Sequence, residues 1–78
     1  MIDLNCQGLP CPLPLLKLKV ALHSVDDNAV ICLTATDAVS LRDIPAFLNI
    51  TPHRLVEQTT EGMVHRFLIQ ARVSDLGK

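Results

Sequence analysis

The sequence predicts an α/β fold, a two-layer sandwich of order β-α-β-α-β-β, with a four-stranded mixed sheet and two helices on one face. Three observations predict it. The 78 residues and 49 % hydrophobic content suit one domain, 1–78, around a single core. Hydrophobic periodicity alternates between two and 3.6 along the first two thirds of the chain. The last third holds two β-rich runs joined through a glycine, the pattern of a hairpin.

The elements follow in order. Ile2, Leu4 and Cys6 alternate with Asp3, Asn5 and Gln7, as in a half-buried strand. Gly8 then ends the strand. In "PCPLPLLKLKVALHSV", Leu15, Leu18, Ala21, Leu22 and Val25 form one helical stripe. Pro12 fits the first helical position and Pro14 the first turn, where N–H groups lack intrahelical acceptors. Cys11 is thereby placed at or beside the N-cap. Leu16 and Val20 lie off the stripe; they either widen the buried face or form an exposed docking strip.

Asp26 to Asn28 is a turn cluster, and "AVICLTAT" is a β-branched second strand. It should pair in parallel with the first through a right-handed crossover. "TDAVSLRDIPAFLNI" predicts a second helix with Asp37 as N-cap and Ser40 with Asp43 as a capping pair. Pro45 removes a helical hydrogen bond, which predicts a kink, or a helix that restarts near Asp43. Arg54–Thr60 and Val64–Val73 form the hairpin, with Gly62 supplying positive φ. "SDLGK" reads as a frayed polar tail.

Composition excludes several functions. A net charge of −1, with two Phe and no Tyr or Trp, gives neither a basic footprint nor stacking platforms for nucleic acid. No run of about 18 apolar residues spans a membrane. The opening "MIDLNCQG" is unlike a signal peptide, so the expected location is cytoplasmic, with Cys6, Cys11 and Cys32 as free thiols. No metal is expected: the C-x4-C spacing of Cys6 and Cys11 lacks a second close ligand pair. The histidines are expected at the surface or at strand ends. No cofactor is expected either, since Gly8 stands alone where a phosphate cradle needs several glycines.

Cys11 is the residue with chemistry in view. A thiol at a helix N-terminus faces unpaired N–H groups and the positive end of the macrodipole. Such cysteines can have pKa values lowered to about 3.5–7.5. Pro10 and Pro12 stiffen the backbone on both sides, so the sulfur is presented at small entropic cost. The alternative is an inert residue in a proline-rich turn. Cys6 shares a strand face with Leu4 and reads as a small core hydrophobe, or else as a redox partner of Cys11. Cys32 reads as mid-strand filler.

"GLPCPLP", with a strand before it and a helix after it, resembles the signature of the TusA family, also called SirA-like or YedF-like proteins. The residues in step are Gly8, Leu9, Cys11, Pro12 and Pro14. A second feature, an aspartate leading to R-D-I-P, is matched by Asp37, Arg42, Asp43, Ile44 and Pro45. Asn5 and Leu13 depart from the first signature, standing where members carry aspartate and, in tRNA-thiolation members, glutamate. The resemblance implies a small cytosolic sulfur carrier, a sulfurtransferase-type protein rather than a stand-alone catalyst. Cys11 would accept sulfane sulfur as a persulfide from a cysteine desulfurase or rhodanese. It would relay that sulfur to an acceptor protein in tRNA thiolation, molybdenum-cofactor formation or sulfur oxidation. The competing readings are a thiol–disulfide redox protein and a regulatory or nucleic-acid-binding module.

Overall fold

The computed structural model describes residues 1–73; the polar tail "SDLGK" lies outside the described residues. The elements are β1 (Ile2–Cys6), α1 (Leu13–Ser24), β2 (Val30–Ala35), α2 (Ser40–Asn49), β3 (Arg54–Glu61) and β4 (Val64–Gln70). The strands make one sheet in the order β1-β2-β4-β3. β1 pairs parallel to β2 from Ile2↔Ile31 to Cys6↔Ala35. β4 pairs antiparallel to β2 on one side and to β3 on the other, with a bulge between Leu55 and Glu57. The sheet is therefore mixed, as the βαβ start and terminal hairpin require.

The register explains the core. Cys6, Ile31, Leu33, Ala35, Phe67 and Ile69 point to one face of the sheet and are fully buried. Leu18 and Leu22 of α1 and Ile44 and Leu48 of α2 cover them, so both helices sit on that face. The other face carries Asp3, Cys32, Leu68 and Glu57 in one row, and no helix among the described residues covers it.

Several boundaries differ from expectation. Pro12 is the N-cap of α1 rather than its first residue, so Cys11 lies one position outside the cap. Pro14 does more than start the helix: it is buried. Leu16 and Val20 are 47 % and 70 % exposed, so they do not widen the buried face. The helix is short, and its inward stripe is already complete with Leu18 and Leu22.

α2 begins at Ser40, with Val39 as N-cap, and runs through Pro45 without a break. The helix therefore starts three residues before Asp43 rather than restarting there, and carries the proline inside it. Its entry is a tight overlapping turn, in which the N–H groups of Ser40, Leu41 and Arg42 bond the carbonyls of Asp37, Ala38 and Val39. Asp37 lies before the cap and accepts the Val39 N–H on Oδ1 at 3.2 Å; neither Ser40 nor Asp43 caps the helix. β4 ends at Gln70 rather than Val73, because Arg72 turns the chain with φ 39°.

Candidate functional site

The site is built at the end of the sheet where β1 and β2 terminate. Leaving β1, the chain turns through Gly8 at φ 81°. The Leu9 N–H closes that turn on the Cys6 carbonyl at 3.2 Å. The Gly8 N–H reaches across to Thr36 Oγ1 at 2.9 Å, which ties the loop to the end of β2. A second turn follows at once: the Leu13 N–H bonds the Pro10 carbonyl at 2.9 Å, with Cys11 and Pro12 at its corners and the peptide between them cis. Leu9 packs half-buried against the core. The loop is thus pinned on both sides, and Cys11 stands exposed between the pins.

α2 brings the second motif to the first. The Cys11 Sγ–H donates to Asp43 Oδ2 at 3.6 Å, within the range of a thiol hydrogen bond. Arg42 Nε–H donates to Asp43 Oδ1 at 3.3 Å, so the carboxylate is shared between a guanidinium and the thiol. Asp37 holds the entry of α2, and its Oδ2 is buried with no hydrogen-bond partner among the described residues. Of the other two residues of that motif, Ile44 is fully buried in the core and Pro45 is half-buried within α2.

These neighbours reverse one expectation. The helix N-terminus predicted a lowered thiol pKa. Instead the Cys11 thiol is pushed up from its ordinary value. Desolvation against the loop comes first, exposed though the residue is; the Asp43 hydrogen bond and the Asp43 and Asp37 charges add to it, and Arg42 opposes them. The physical reason is position: Cys11 lies beyond the N-cap, where the effect of the helix end has begun to fall off, while Asp43 is in contact.

The other thiols differ in kind. Cys6 is fully buried in the core, and burial pushes its thiol up, with Lys17 acting against that shift. Cys32 is half-buried mid-strand. All three are free. Among the described residues no three His, Cys, Asp or Glu side chains gather as a metal site. No helix of the described residues is long and apolar enough to cross a membrane.

Sequence reasoning missed two features of this end of the molecule. One is Thr36, whose hydroxyl anchors Gly8; nothing in "TAT" signals it. The other is His65, which is buried at the start of β4 with Nδ1 3.1 Å from Thr60 Oγ1. It lies in the same cross-strand row as Ala35 and Cys6, at a strand end as expected but buried rather than at the surface. Beside the loop, Leu13, Leu16 and Val20 line a shallow apolar groove of about 340 Å³ with Leu4, Lys17 and Ala21. A second cleft, of about 800 Å³, is lined by Leu48, Pro52, His53 and Leu55, at the end of the sheet away from Cys11.

Comparisons with known proteins identify the fold and the family. A crystal structure of a SirA-like protein from Desulfitobacterium hafniense superposes with a TM-score of 0.78 at 20 % identity, covering 91 % of this chain and 97 % of that one. It shares the fold. The sulfur carrier protein TusA of Allochromatium vinosum is 38 % identical over 68 residues, 87 % of this chain and 90 % of that protein. The family model described as Sulfurtransferase TusA matches residues 2–71. A match of that extent, over a chain that sets an exposed C-P-x-P thiol against the aspartate of R-D-I-P, places this protein in the TusA family of sulfur carriers.

Proposed function

We propose that this chain carries sulfane sulfur as a persulfide on Cys11, taking it from a donor protein such as a cysteine desulfurase or rhodanese and passing it to an acceptor protein. One observation carries the reading: of three free thiols, Cys11 alone is exposed, in a loop pinned on both sides. Cys11 Sγ attacks the outer sulfur of the donor persulfide. A bond forms from Sγ to that sulfur, and the donor's S–S bond breaks. The donor leaves as a thiolate and takes up the proton that Cys11 gives up. No electrons are gained or lost overall, and no second cysteine is consumed. Gly8, Leu9, Pro12 and Pro14 shape the loop, while Asp37, Arg42 and Asp43 supply its charge. The family's location and chemistry support a cytoplasmic relay among proteins.

The test is sulfur loading from a cysteine desulfurase and cysteine, read as a DTT-labile mass gain on the intact chain. Cys6→Ser and Cys32→Ser are expected to load, and Cys11→Ser to remain folded and unloaded. Loss of loading in a folded Cys6→Ser variant, with a Cys6–Cys11 disulfide in the parent, would transfer the assignment to redox chemistry.

A further inference from the structure

The carboxylate at the thiol raises a question that the carrier role leaves open. A nucleophilic cysteine is ordinarily set beside a cation. Here the group in contact with Sγ is an anion, Asp43, at 3.6 Å. Its placement is built in. Asp43 sits in the first turns of α2, its other oxygen is held by Arg42, and its side chain is only 29 % exposed. The Asp37 carboxylate acts in the same sense on the thiol.

We propose that Asp43 governs how long sulfur stays on Cys11, by opposing the departure of Sγ as a thiolate when an acceptor attacks. The inference rests on the persulfide reading. In the discharge step an acceptor thiolate attacks the outer sulfur of the Cys11 persulfide. A bond forms between acceptor and outer sulfur, and the Sγ–S bond breaks. The electron pair of that bond stays on Sγ, and the outer sulfur's proton travels with it or returns from water. The step is redox-neutral. Its rate depends on the leaving thiol, since a thiol of lower pKa leaves faster. The new negative charge falls on the atom that Asp43 already contacts. Asp43 therefore slows discharge to small thiols encountered at random and holds the cargo until a protein acceptor engages the loop.

Arg42 supplies a test of opposite sign, because it acts on the same thiol against the carboxylates. Cys11 alkylation by iodoacetamide is followed against pH by peptide mapping in the parent, Asp43→Asn and Arg42→Ala. The profile is expected to move to lower pH in Asp43→Asn and to higher pH in Arg42→Ala, with thermal melts showing both variants folded. A general loosening of the loop would move both profiles the same way, and that result overturns the proposal. In a second arm the proteins are loaded chemically with sodium polysulfide, and discharge to cyanide is followed as thiocyanate. Discharge from Asp43→Asn is expected to be at least about twofold faster than from the parent. An equal or slower rate overturns the retention role even if the alkylation profile moves. Because loading here needs no donor protein, failure to load from a desulfurase counts against the persulfide relay, not against Asp43.

Discussion

Arg72→Ala should be among the most damaging substitutions outside the core, for a reason that lies far from Cys11. The Arg72 guanidinium reaches back to the last turn of α1. Nη1–H donates to the Leu22 carbonyl at 2.7 Å and Nη2–H to the Val25 carbonyl, while Nε–H bonds Asp27 Oδ1 at 2.5 Å. The last carbonyls of a helix have no intrahelical donors, and a cation at that end also complements the helix dipole. Hydrogen bonds to charged groups contribute about 1.5–3 kcal/mol each when buried. Arg72 is 31 % exposed, so each carbonyl bond is discounted below that range, to about 1–1.5 kcal/mol. Asp27 is 73 % exposed, which holds that ion pair to about 0–1 kcal/mol. Together the loss is about 3 kcal/mol, or a fall in Tm of about 12–24 °C for a domain of this size. The assay is urea unfolding of the parent, Arg72→Ala, Arg72→Lys and Asp27→Ala. Lysine should recover little, because a point charge cannot span two carbonyls and a carboxylate as a planar fork does. If Arg72→Ala costs under about 0.5 kcal/mol, or Asp27→Ala costs as much, the carbonyl-capping argument is wrong.

Three further outcomes are expected. Gly8→Ala should cost about 1–2 kcal/mol by denaturant midpoint from its left-handed φ alone, since an added Cβ meets nothing within 4 Å; a cost near zero would mean the turn adapts freely. Pro45→Ala should stabilise the chain by about 1 kcal/mol or more, because it restores a donor to the Leu41 carbonyl inside an unbroken helix; a lower melting temperature would show that the ring's packing outweighs the missing bond. His53 is held below its ordinary pKa, first by burial and then by Arg72 and His23, and its Nδ1 accepts the Arg72 N–H at 3.0 Å. The native state thus prefers neutral His53. That stability is present in full above the unfolded value of 6.5 and is lost as pH falls from there through the lowered native value. Urea midpoints should therefore fall less between about pH 7.5 and about pH 5 in His53→Asn, which keeps an acceptor but does not titrate; an identical fall in both proteins would exclude His53 as the source.

The strands and α1 were legible because their signals are local. Alternation in "IDLNC" and "AVICLTA" fixes which residues face the core, and Leu18 and Leu22 announce the inner stripe of a helix. Gly8 and Gly62 both take the positive φ that their turns require. α2 was legible in kind but not in its bounds. A proline costs a helix one bond and a clash, yet the burial of Ile44 and Leu48 on either side of it carries the helix through. The site was half legible. Cys11 and its prolines could be read directly, and the R-D-I-P residues through the family resemblance. The sign of the electrostatics could not, because it depends on Asp43 lying against a residue 32 positions away. Arg72 was invisible for the same reason: its partners at Leu22 and Val25 are backbone atoms, which no side-chain pattern announces.

The position of β1 at the rim of the sheet has a consequence for how the loop behaves in time. β1 has five residues and a single neighbouring strand, whereas β2 and β4 are paired on both sides. Its amides are held by one ladder, and only Cys6 is fully buried among its side chains. The free energy needed to peel such a strand away is smaller than that for global unfolding. Hydrogen exchange at Asp3, Leu4 and Asn5 should accordingly be faster than at Leu33 and Phe67. The Gly8 turn hangs from the end of β1, while Cys11 stays tied to the start of α1 through the Pro10–Leu13 turn and the loop to the end of β2 through Thr36. A partner that grips the rim strand would suppress these openings, and slower hydrogen exchange at Asp3, Leu4 and Asn5 would report its binding.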